Sequence, residues 1–317
     1  MPRGTPRVLL AGRSNAERKR RRAGVRLRDY TVTPSTRRRY EAAVARILPF
    51  LEQQSSLQDI DGVICDWVEL QWTQGQPINL IADCLSGLHF YWPQLKGLIR
   101  HAWKMFRSWR RIETPARAPP LTSLLVRAMV ARSVQRHHLE FGALISLGFH
   151  CMLRTGELLA LRFGDFEFSS ECGVVTLHQS KSGLRTGAQE AVAIRDHLTL
   201  QLLDTLFSLQ PHAPGNKLWP YSPQTFRKSF LAMLRYFDIH PLGFKPYSLR
   251  RGSATYLLQC NVPMEAILVR GRWRSLGVAR LYLEDGLAQL PVLRIDSSKR
   301  SKILLWANKT PATAFRP

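Results

Sequence analysis

Apolar residues recur every three or four positions through most of this 317-residue chain, the spacing that lines one face of an α-helix. The first run follows Thr33 and Pro34, which suit the cap and the first position of a helix. The pattern therefore predicts a mainly helical protein. Similar runs predict further helices around 63–72, 78–90, 95–111, 122–136, 140–152, 197–209, 223–237, 248–259, 263–269 and 275–285.

Three short apolar stretches interrupt the helical spacing between positions 166 and 194. Phe166–Phe168 is strand-like, and the stretches 174–177 and 191–194 flank a polar turn that contains glycine. Two strands joined by such a turn pair as an antiparallel hairpin. We therefore expect an α+β fold class, mainly α with a small antiparallel sheet.

Prolines divide the chain into two parts. Residues 114–120 contain three prolines in seven positions, which favours an extended linker. A length of 317 residues also suits two domains. The predicted parts are a basic arm at 1–28, a helical domain at 29–112, a linker at 113–120, a second domain at 121–290 and a tail at 291–317.

The two ends of the chain differ from the parts between them. Residues 1–28 are rich in arginine and include five consecutive cations at 18–22, which predicts a disordered basic arm. Such an arm tracks DNA phosphates, serves as a nuclear import signal or is only a solvated tail. The C-terminal tail has one apolar patch, 303–306, which packs on the body or reaches a neighbouring subunit.

The chain is strongly basic, with a formal net charge of +23 from 46 Lys+Arg against 23 Asp+Glu. Proteins this basic usually bind a polyanion, although a compositional preference for arginine explains part of the excess. The helix at 95–111 has one apolar and one cationic face, which suits contact with DNA phosphates. Its cationic positions are Lys96, Arg100, Lys104, Arg107, Arg110 and Arg111. The tryptophans of this domain, expected in its core, are Trp67, Trp72, Trp103 and Trp109.

Several classes of protein do not fit the sequence. Its five cysteines are scattered and none has C-x-x-C spacing, so we predict reduced cysteines and neither disulfides nor a zinc site. No apolar run approaches the roughly 20 residues of a membrane span, and the N-terminus lacks the apolar core of a signal peptide. We expect an intracellular protein that needs no metal and no other cofactor.

Four short motifs contain residue types that together suit one kind of reaction. The first contains Arg154 with Glu157 one helical turn later, and the second contains Lys181 in the polar turn. The third contains Arg250, and the fourth contains Trp273 followed by Tyr282. Two guanidiniums can grip one phosphate, a tyrosine hydroxyl can attack it, and a lysine can protonate the departing oxygen. Such a set suits reactions on a DNA backbone.

These motifs, in this order, resemble those of the tyrosine recombinase (phage integrase) family. Trp273 lies 23 residues after Arg250, and Tyr282 lies nine residues after Trp273, as in that family. The resemblance covers about 30–287 and is weaker at the N-terminal end, where Thr-Pro-Ser-Thr-x-x-x-Tyr opens the helical domain. It implies a SAM-like core-binding domain and a catalytic domain that close on DNA as a clamp. The catalytic residues that it implies are Arg154, Lys181, Tyr247, Arg250, Trp273 and Tyr282, with Glu157 bracing the site.

The resemblance also implies an activity. Members of the family cut and rejoin DNA through a 3′-phosphotyrosine link, without ATP, as tetramers on paired sites. We therefore expect a site-specific recombinase or integrase from a mobile element, whose partners are double-stranded DNA and three further copies of the chain. Its place is with DNA in the cell, in the nucleus if the host is eukaryotic.

Tyr247 departs from the family pattern, which has histidine at this position. A phenol titrates near pH ~10 whereas histidine exchanges protons near neutrality, so Tyr247 is a poor general base. It retains a hydroxyl that can hydrogen-bond the phosphate, and we expect slowed chemistry rather than none. His240, a few residues earlier, is a minor candidate for the missing histidine.

Three other functions remain open on the sequence. The first is a DNA-binding relic that has lost activity, for which the change at Tyr247 is the main argument. The second is a type IB topoisomerase-like enzyme that nicks and reseals a single duplex with the same chemistry. The third is a basic scaffold or RNA-binding protein whose motif matches are accidental, which predicts salt-dependent binding without strand cleavage.

Overall fold

The computed structural model describes residues 14–23, 31–53, 59–114, 117–178, 190–209, 212–280, 282, 290 and 293–310. The chain divides into two compact units, Met1–Ala116 and Arg117–Pro317. The described residues are mostly helical and include one three-stranded antiparallel sheet, so the predicted fold class is confirmed. None of the described helices is both long and apolar enough to cross a bilayer.

The first unit is helical in all its described elements. Thr33 caps the second helix, since its hydroxyl accepts a hydrogen bond from the Thr36 backbone N–H at 3.1 Å, and Pro34 follows as predicted. The apolar faces of the helices between Pro34 and Ile112 meet in one core that includes Ile47, Ile64 and Leu85. The helices are α1 (Asn15–Arg22), α2 (Pro34–Glu52), α3 (Ile60–Thr73), α4 (Ile78–Tyr91) and α5 (Arg100–Ile112).

Two predictions about the secondary structure of this unit are corrected. The arm at 1–28 is not disordered throughout, because Asn15–Arg22 is the helix α1, capped by the Ser14 hydroxyl at 3.2 Å from the Glu17 backbone N–H. The rest of the arm lies outside the described residues. The helix predicted from 95 begins only at Arg100, after Gly97 adopts a left-handed φ of 94° that ends the preceding short 3-10 turn.

Helix α5 separates apolar from cationic residues. Ala102 and Trp109 are buried, and Trp67 of α3 is buried with them in the same core, as expected. Trp72 is 37% exposed and lies outside the core cluster, in a T-shaped contact with Trp109, so the expectation of a core position is wrong for Trp72. The predicted cationic positions are all exposed: Lys96, which precedes the helix, and Arg100, Lys104, Arg107, Arg110 and Arg111 on it.

The second unit combines helices with a small antiparallel sheet. Strands β1 (Phe166–Phe168), β2 (Gly173–Leu177) and β3 (Glu190–Ile194) lie in the order β1-β2-β3, and Val175 of β2 is opposite Phe166 and Val192. The described helices are α6 (Ser123–Gln135), α7 (Leu139–His150), α8 (Thr155–Leu158), α9 (His197–Leu209), α10 (Pro223–Tyr236), α11 (Ser248–Gln259), α12 (Met264–Gly271), α13 (Leu276–Arg280) and α14 (Ser297–Ala307).

Helix α7 lies at the centre of the second unit. All its residues from Phe141 to His150 are buried, which explains its nearly continuous apolar sequence. Helices α6, α9 and α11 pack against it. Because α11 is among them, the core directly supports the helix that carries Arg250.

The C-terminal helix α14 packs on α6 of its own chain. Ile303 and Trp306 are buried there, and the Trp306 indole N–H donates to the Tyr236 hydroxyl at 3.0 Å. The Arg132 guanidinium carbon lies 4.2 Å from the centre of the Tyr236 ring. The sequence left open whether the apolar patch packs on its own chain or on a neighbouring subunit. In this structure it packs on its own chain.

Gly252 marks the closest approach between α11 and the segment before α6. The Leu121 backbone N–H donates to the Ser248 carbonyl at 3.1 Å, and a Cβ at Gly252 would lie 1.9 Å from the Leu121 carbonyl oxygen. We expect Gly252→Ala to lower the free energy of unfolding by about 3 kcal/mol or more, because backbone rather than a flexible side chain must give way.

Urea unfolding followed by circular dichroism measures this effect. The matched control is Gly277→Ala in α13, where nothing lies within 4 Å of the added carbon. That variant is expected to match the original protein or to gain about 0.5–1 kcal/mol from helix propensity. Equal unfolding midpoints for the two variants would contradict the packing described here.

Candidate active site

Arg250 lies at the centre of a cluster of functional groups in the second unit. It has no exposed surface, and its Nη1 and Nη2 atoms donate to the carbonyls of Met152 and Gly271. Met152 turns its carbonyl inward because the chain leaves α7 through a left-handed backbone conformation, with φ of 49°. Burial, followed by the charges of Arg272 and Arg154, lowers the pKa of Arg250 to about 10. The guanidinium therefore stays charged at neutral pH.

Arg154 and Glu157 form a closed contact at the start of α8. The Glu157 carboxylate accepts the Arg154 backbone N–H at 2.9 Å and its Nη1 at 2.5 Å. The Arg154 side chain is 25% exposed, whereas the Glu157 side chain is almost fully buried. This contact orients the Arg154 guanidinium at the edge of the site.

A second guanidinium, that of Arg272, also binds Glu157. Its Nη2 donates to Glu157 Oε2 at 2.6 Å, and its Nε lies 3.2 Å from Glu190 Oε2. The contact with Glu190 is an ion pair only, since the two atoms do not meet hydrogen-bond geometry. Burial tends to raise the pKa of Glu157, but Arg272 and the hydrogen bonds from Arg154 outweigh it and hold that pKa below its usual range.

Trp273 and Tyr282 stack beside Arg250. Their ring centres are 4.6 Å apart, and the guanidinium carbon of Arg250 lies 5.0 Å from the Trp273 ring and 5.8 Å from the Tyr282 ring. The Thr255 hydroxyl donates to the Tyr282 carbonyl at 3.3 Å. A Cβ at Gly271 would meet the Trp273 ring at 2.4 Å, so any other residue there would displace the indole from its observed position.

Tyr247 binds the other tyrosine of the cluster. Its hydroxyl donates to the Tyr282 hydroxyl, and the two ring centres are 5.8 Å apart. Burial, and then the hydrogen bond with Tyr282, raises the pKa of Tyr247 above its ordinary value. At neutral pH Tyr247 is therefore a hydrogen-bond donor and not a base. In the free protein its partner is Tyr282.

The chain resembles known proteins in its fold rather than in its sequence. No protein-family model matches it, and no curated protein matches it significantly. Among solved structures it resembles the Tn1549 transposon integrase in complex with circular intermediate DNA. The two are 15% identical with a TM-score of 0.58, over 87% of this chain and 97% of that one. A lambda integrase dimer bound to a COC′ core site gives 16% identity and a TM-score of 0.54, over 83% and 73%. The chain has the fold of the tyrosine recombinases.

Within this tyrosine recombinase fold, most of the predicted site residues come together. Lys181 lies outside the described residues, in the segment that joins the antiparallel neighbours β2 and β3. His240 begins a short 3-10 helix and is exposed. The residues that share contacts in one cluster are Arg154, Glu157, Tyr247, Arg250, Trp273 and Tyr282.

Two parts of this cluster were not predicted from the sequence. Arg272 directly precedes Trp273 in the fourth motif, so its position within that motif was the only available signal. The Met152 and Gly271 carbonyls that bind Arg250 left no signal, because any residue supplies a carbonyl. Among the described residues, no group of three or more His, Cys, Asp or Glu side chains is placed to hold a metal ion.

Proposed function

We propose that this protein is a site-specific DNA recombinase that cuts and rejoins DNA through a 3′-phosphotyrosine link at Tyr282. The observation that carries the proposal is the position of Tyr282, stacked on Trp273 and 5.8 Å from the buried guanidinium carbon of Arg250. A nucleophile beside a buried cation that is fixed by hydrogen bonds suits transfer of a phosphoryl group. The fold shared with recombinases and integrases supports the same conclusion.

In the proposed reaction, Arg154 and Arg250 bind the non-bridging oxygens of one phosphodiester. The Tyr282 oxygen attacks phosphorus, its proton passes to water, and the bond from phosphorus to the 5′ oxygen breaks. Lys181 gives its proton to that 5′ oxygen, so a free 5′-hydroxyl leaves. Attack of a 5′-hydroxyl from another strand on the phosphotyrosine reverses the step and restores the tyrosine.

Arg250 is enclosed in the free protein, so binding of a phosphodiester to it requires a movement of the site. Because it has no exposed surface, a phosphodiester reaches it only after a neighbouring side chain moves, and we propose that this is Tyr282, whose ring centre lies 5.8 Å from the guanidinium carbon. The same movement brings the Tyr282 hydroxyl to the phosphorus and carries the Tyr247 hydroxyl with it. We therefore expect DNA to quench or shift the fluorescence of Trp273, the indole stacked on Tyr282.

Tyr247 contributes a hydrogen bond rather than base catalysis in this proposal. Its hydroxyl donates to the Tyr282 oxygen and stabilises the negative charge that develops there during attack. Tyr247→Phe is expected to slow covalent capture of DNA about 10-fold to 100-fold. Tyr247→His should add a group that titrates near pH ~6.5 and raise the rate above it, because imidazole accepts a proton there.

Rates of capture between pH 5.5 and 9 for the original protein and both variants check this role. The original protein should show no inflection near pH ~6.5, since the pKa of Tyr247 is raised. Tyr247→His should acquire one. A bell-shaped profile centred near neutrality in the original protein would instead indicate a different residue acting as the base.

The decisive experiment is covalent capture. The purified protein is incubated with nicked duplexes of random sequence, denatured and examined for protein–DNA adducts, and the linked peptide is identified by mass spectrometry. A link at Tyr282 establishes a tyrosine strand transferase, and the captured DNA gives the preferred site. Binding without any adduct, also with Tyr247→His, supports the inactive relic and contradicts the proposal.

Two further features of the proposal have their own measurements. Recombination on paired sites requires a synaptic complex, which we propose is a homotetramer on two duplexes, and light scattering with and without captured DNA measures its mass. Relaxation of supercoiled DNA that requires only one duplex would favour the topoisomerase-like alternative.

We propose double-stranded DNA as the partner and a location with DNA inside the cell, in the nucleus if the host is eukaryotic. The exposed cations of α5 and the net charge of +23 support a DNA partner.

A further inference from the structure

Arg272 adopts a backbone conformation that is unfavourable for arginine. Its φ of 54° and ψ of 43° lie in the left-handed region, where glycine and asparagine are more common. Such conformations persist when the surrounding contacts hold them, and they concentrate at functional sites. The contacts of the side chain therefore account for the presence of arginine at this position.

The Arg272 side chain is buried and contacts three separate segments. Its side chain is 8% exposed, and its Nη2 binds the Glu157 carboxylate at 2.6 Å and approaches the Met152 carbonyl at 3.4 Å. Its Nε forms the ion pair with Glu190 at the start of β3. The Met152 carbonyl also binds Arg250, so Arg250 and Arg272 are held by the same turn.

We propose that Arg272 is a positioning residue whose guanidinium balances the negative charge of Glu157. The positive charge of Arg154 then remains available to bind a phosphodiester. This inference rests on the proposed function. Glu157 accepts hydrogen bonds from both arginines through different oxygens, Oε1 from the Arg154 side chain and Oε2 from Arg272. Because Glu157 binds both arginines, it orients the Arg154 guanidinium without fully offsetting its positive charge.

The charges of the cluster support the proposal. Three guanidiniums, those of Arg154, Arg250 and Arg272, stand against the two carboxylates of Glu157 and Glu190. The charges of these five described side chains therefore sum to +1, which favours binding of the negatively charged phosphodiester. Without Arg272 the cluster is neutral, and the buried Glu157 carboxylate would compete with the phosphate for Arg154.

A pair of variants separates this electrostatic role from a packing role. Arg272→Gly removes the guanidinium and suits the left-handed backbone, so a loss of function does not come from backbone strain. We expect it to slow covalent capture of DNA about 100-fold, with DNA affinity changed less than about threefold. Adding Glu157→Gln removes the carboxylate that needs a counter-charge, and the double variant should recover at least about 10-fold of that loss.

Orthovanadate, a mimic of a transferring phosphoryl group, provides a readout that does not depend on strand cleavage. Its affinity, followed by tryptophan fluorescence, should fall about 10-fold or more in Arg272→Gly and return in the double variant. Arg272→Lys keeps the charge and should retain more affinity than Arg272→Gly. Thermal unfolding of each variant verifies that it is folded.

The outcomes distinguish the two proposals. Equal vanadate affinity in the original protein and Arg272→Gly, or a double variant no better than Arg272→Gly, overturns the role of Arg272. Absence of DNA capture by the original protein overturns the recombinase, while the vanadate series still decides whether Arg272 offsets Glu157. A packing role predicts that the second substitution adds to the damage instead of relieving it.

Discussion

Tyr282→Phe is expected to lower covalent capture of DNA by at least about 10⁴-fold while leaving DNA affinity within about twofold. Phenylalanine keeps the ring that stacks on Trp273 at 4.6 Å, so the packing around Arg250 is preserved. Only the hydroxyl that attacks phosphorus is lost. Adducts are counted after denaturation on nicked duplexes, and affinity is measured separately by fluorescence anisotropy.

One neighbour makes a stricter control necessary. The Tyr247 hydroxyl contacts the Tyr282 hydroxyl, so it is the nearest alternative nucleophile once Tyr282 is replaced. The double variant Tyr247→Phe/Tyr282→Phe removes both hydroxyls and should give no adduct. Capture by this double variant at the original rate would place the nucleophile elsewhere in the chain and contradict the proposed mechanism.

Arg250→Lys is expected to lower capture at least about 10³-fold and also to destabilise the second unit by about 2–4 kcal/mol. Lysine keeps a positive charge but cannot donate to the Met152 and Gly271 carbonyls and a phosphate in the planar arrangement of a guanidinium. It therefore leaves buried carbonyls without partners. Capture assays and urea unfolding measure the two effects separately.

Arg154→Lys is the matched variant at the exposed edge of the site. The Arg154 side chain is 25% exposed, so its replacement is expected to change the free energy of unfolding by less than about 1 kcal/mol. Capture should still fall about 10²-fold to 10³-fold. An equal loss of stability in Arg154→Lys and Arg250→Lys would contradict the expectation that the deeper burial of Arg250 makes its replacement more costly.

The sequence predicted helices well where local signals were strong. The stretches 197–209 and 248–259 agree with α9 and α11, and the cap at Thr33 was identified from its residue type. Errors arose where local signals conflict with the rest of the molecule. Five adjacent cations argued against a helix at Asn15–Arg22, yet Ser14 caps one and Glu17 stands in its first turn, where a negative charge is favourable.

The candidate site was predictable only in part. The residue types and their spacing placed Arg154, Arg250, Trp273 and Tyr282 in one functional group before any contact was known. Their roles remain predictions, as does the role of Lys181, which lies outside the described residues. The partner of Tyr247 was not predictable, since a phenol has equal chemical reason to bind a phosphate or another hydroxyl.

By itself, the amino-acid sequence determined the helical periodicity, the small sheet, the basic charge and the order of the functional residue types. Tertiary structure alone decided that Arg250 is enclosed by two carbonyls, that Arg272 shares Glu157 with Arg154, and that α11 needs glycine at 252. The physical reason is distance along the chain. Met152 and Arg250 are 98 positions apart and Glu157 and Arg272 are 115 apart, whereas periodicity and capping depend on residues within a few positions of one another.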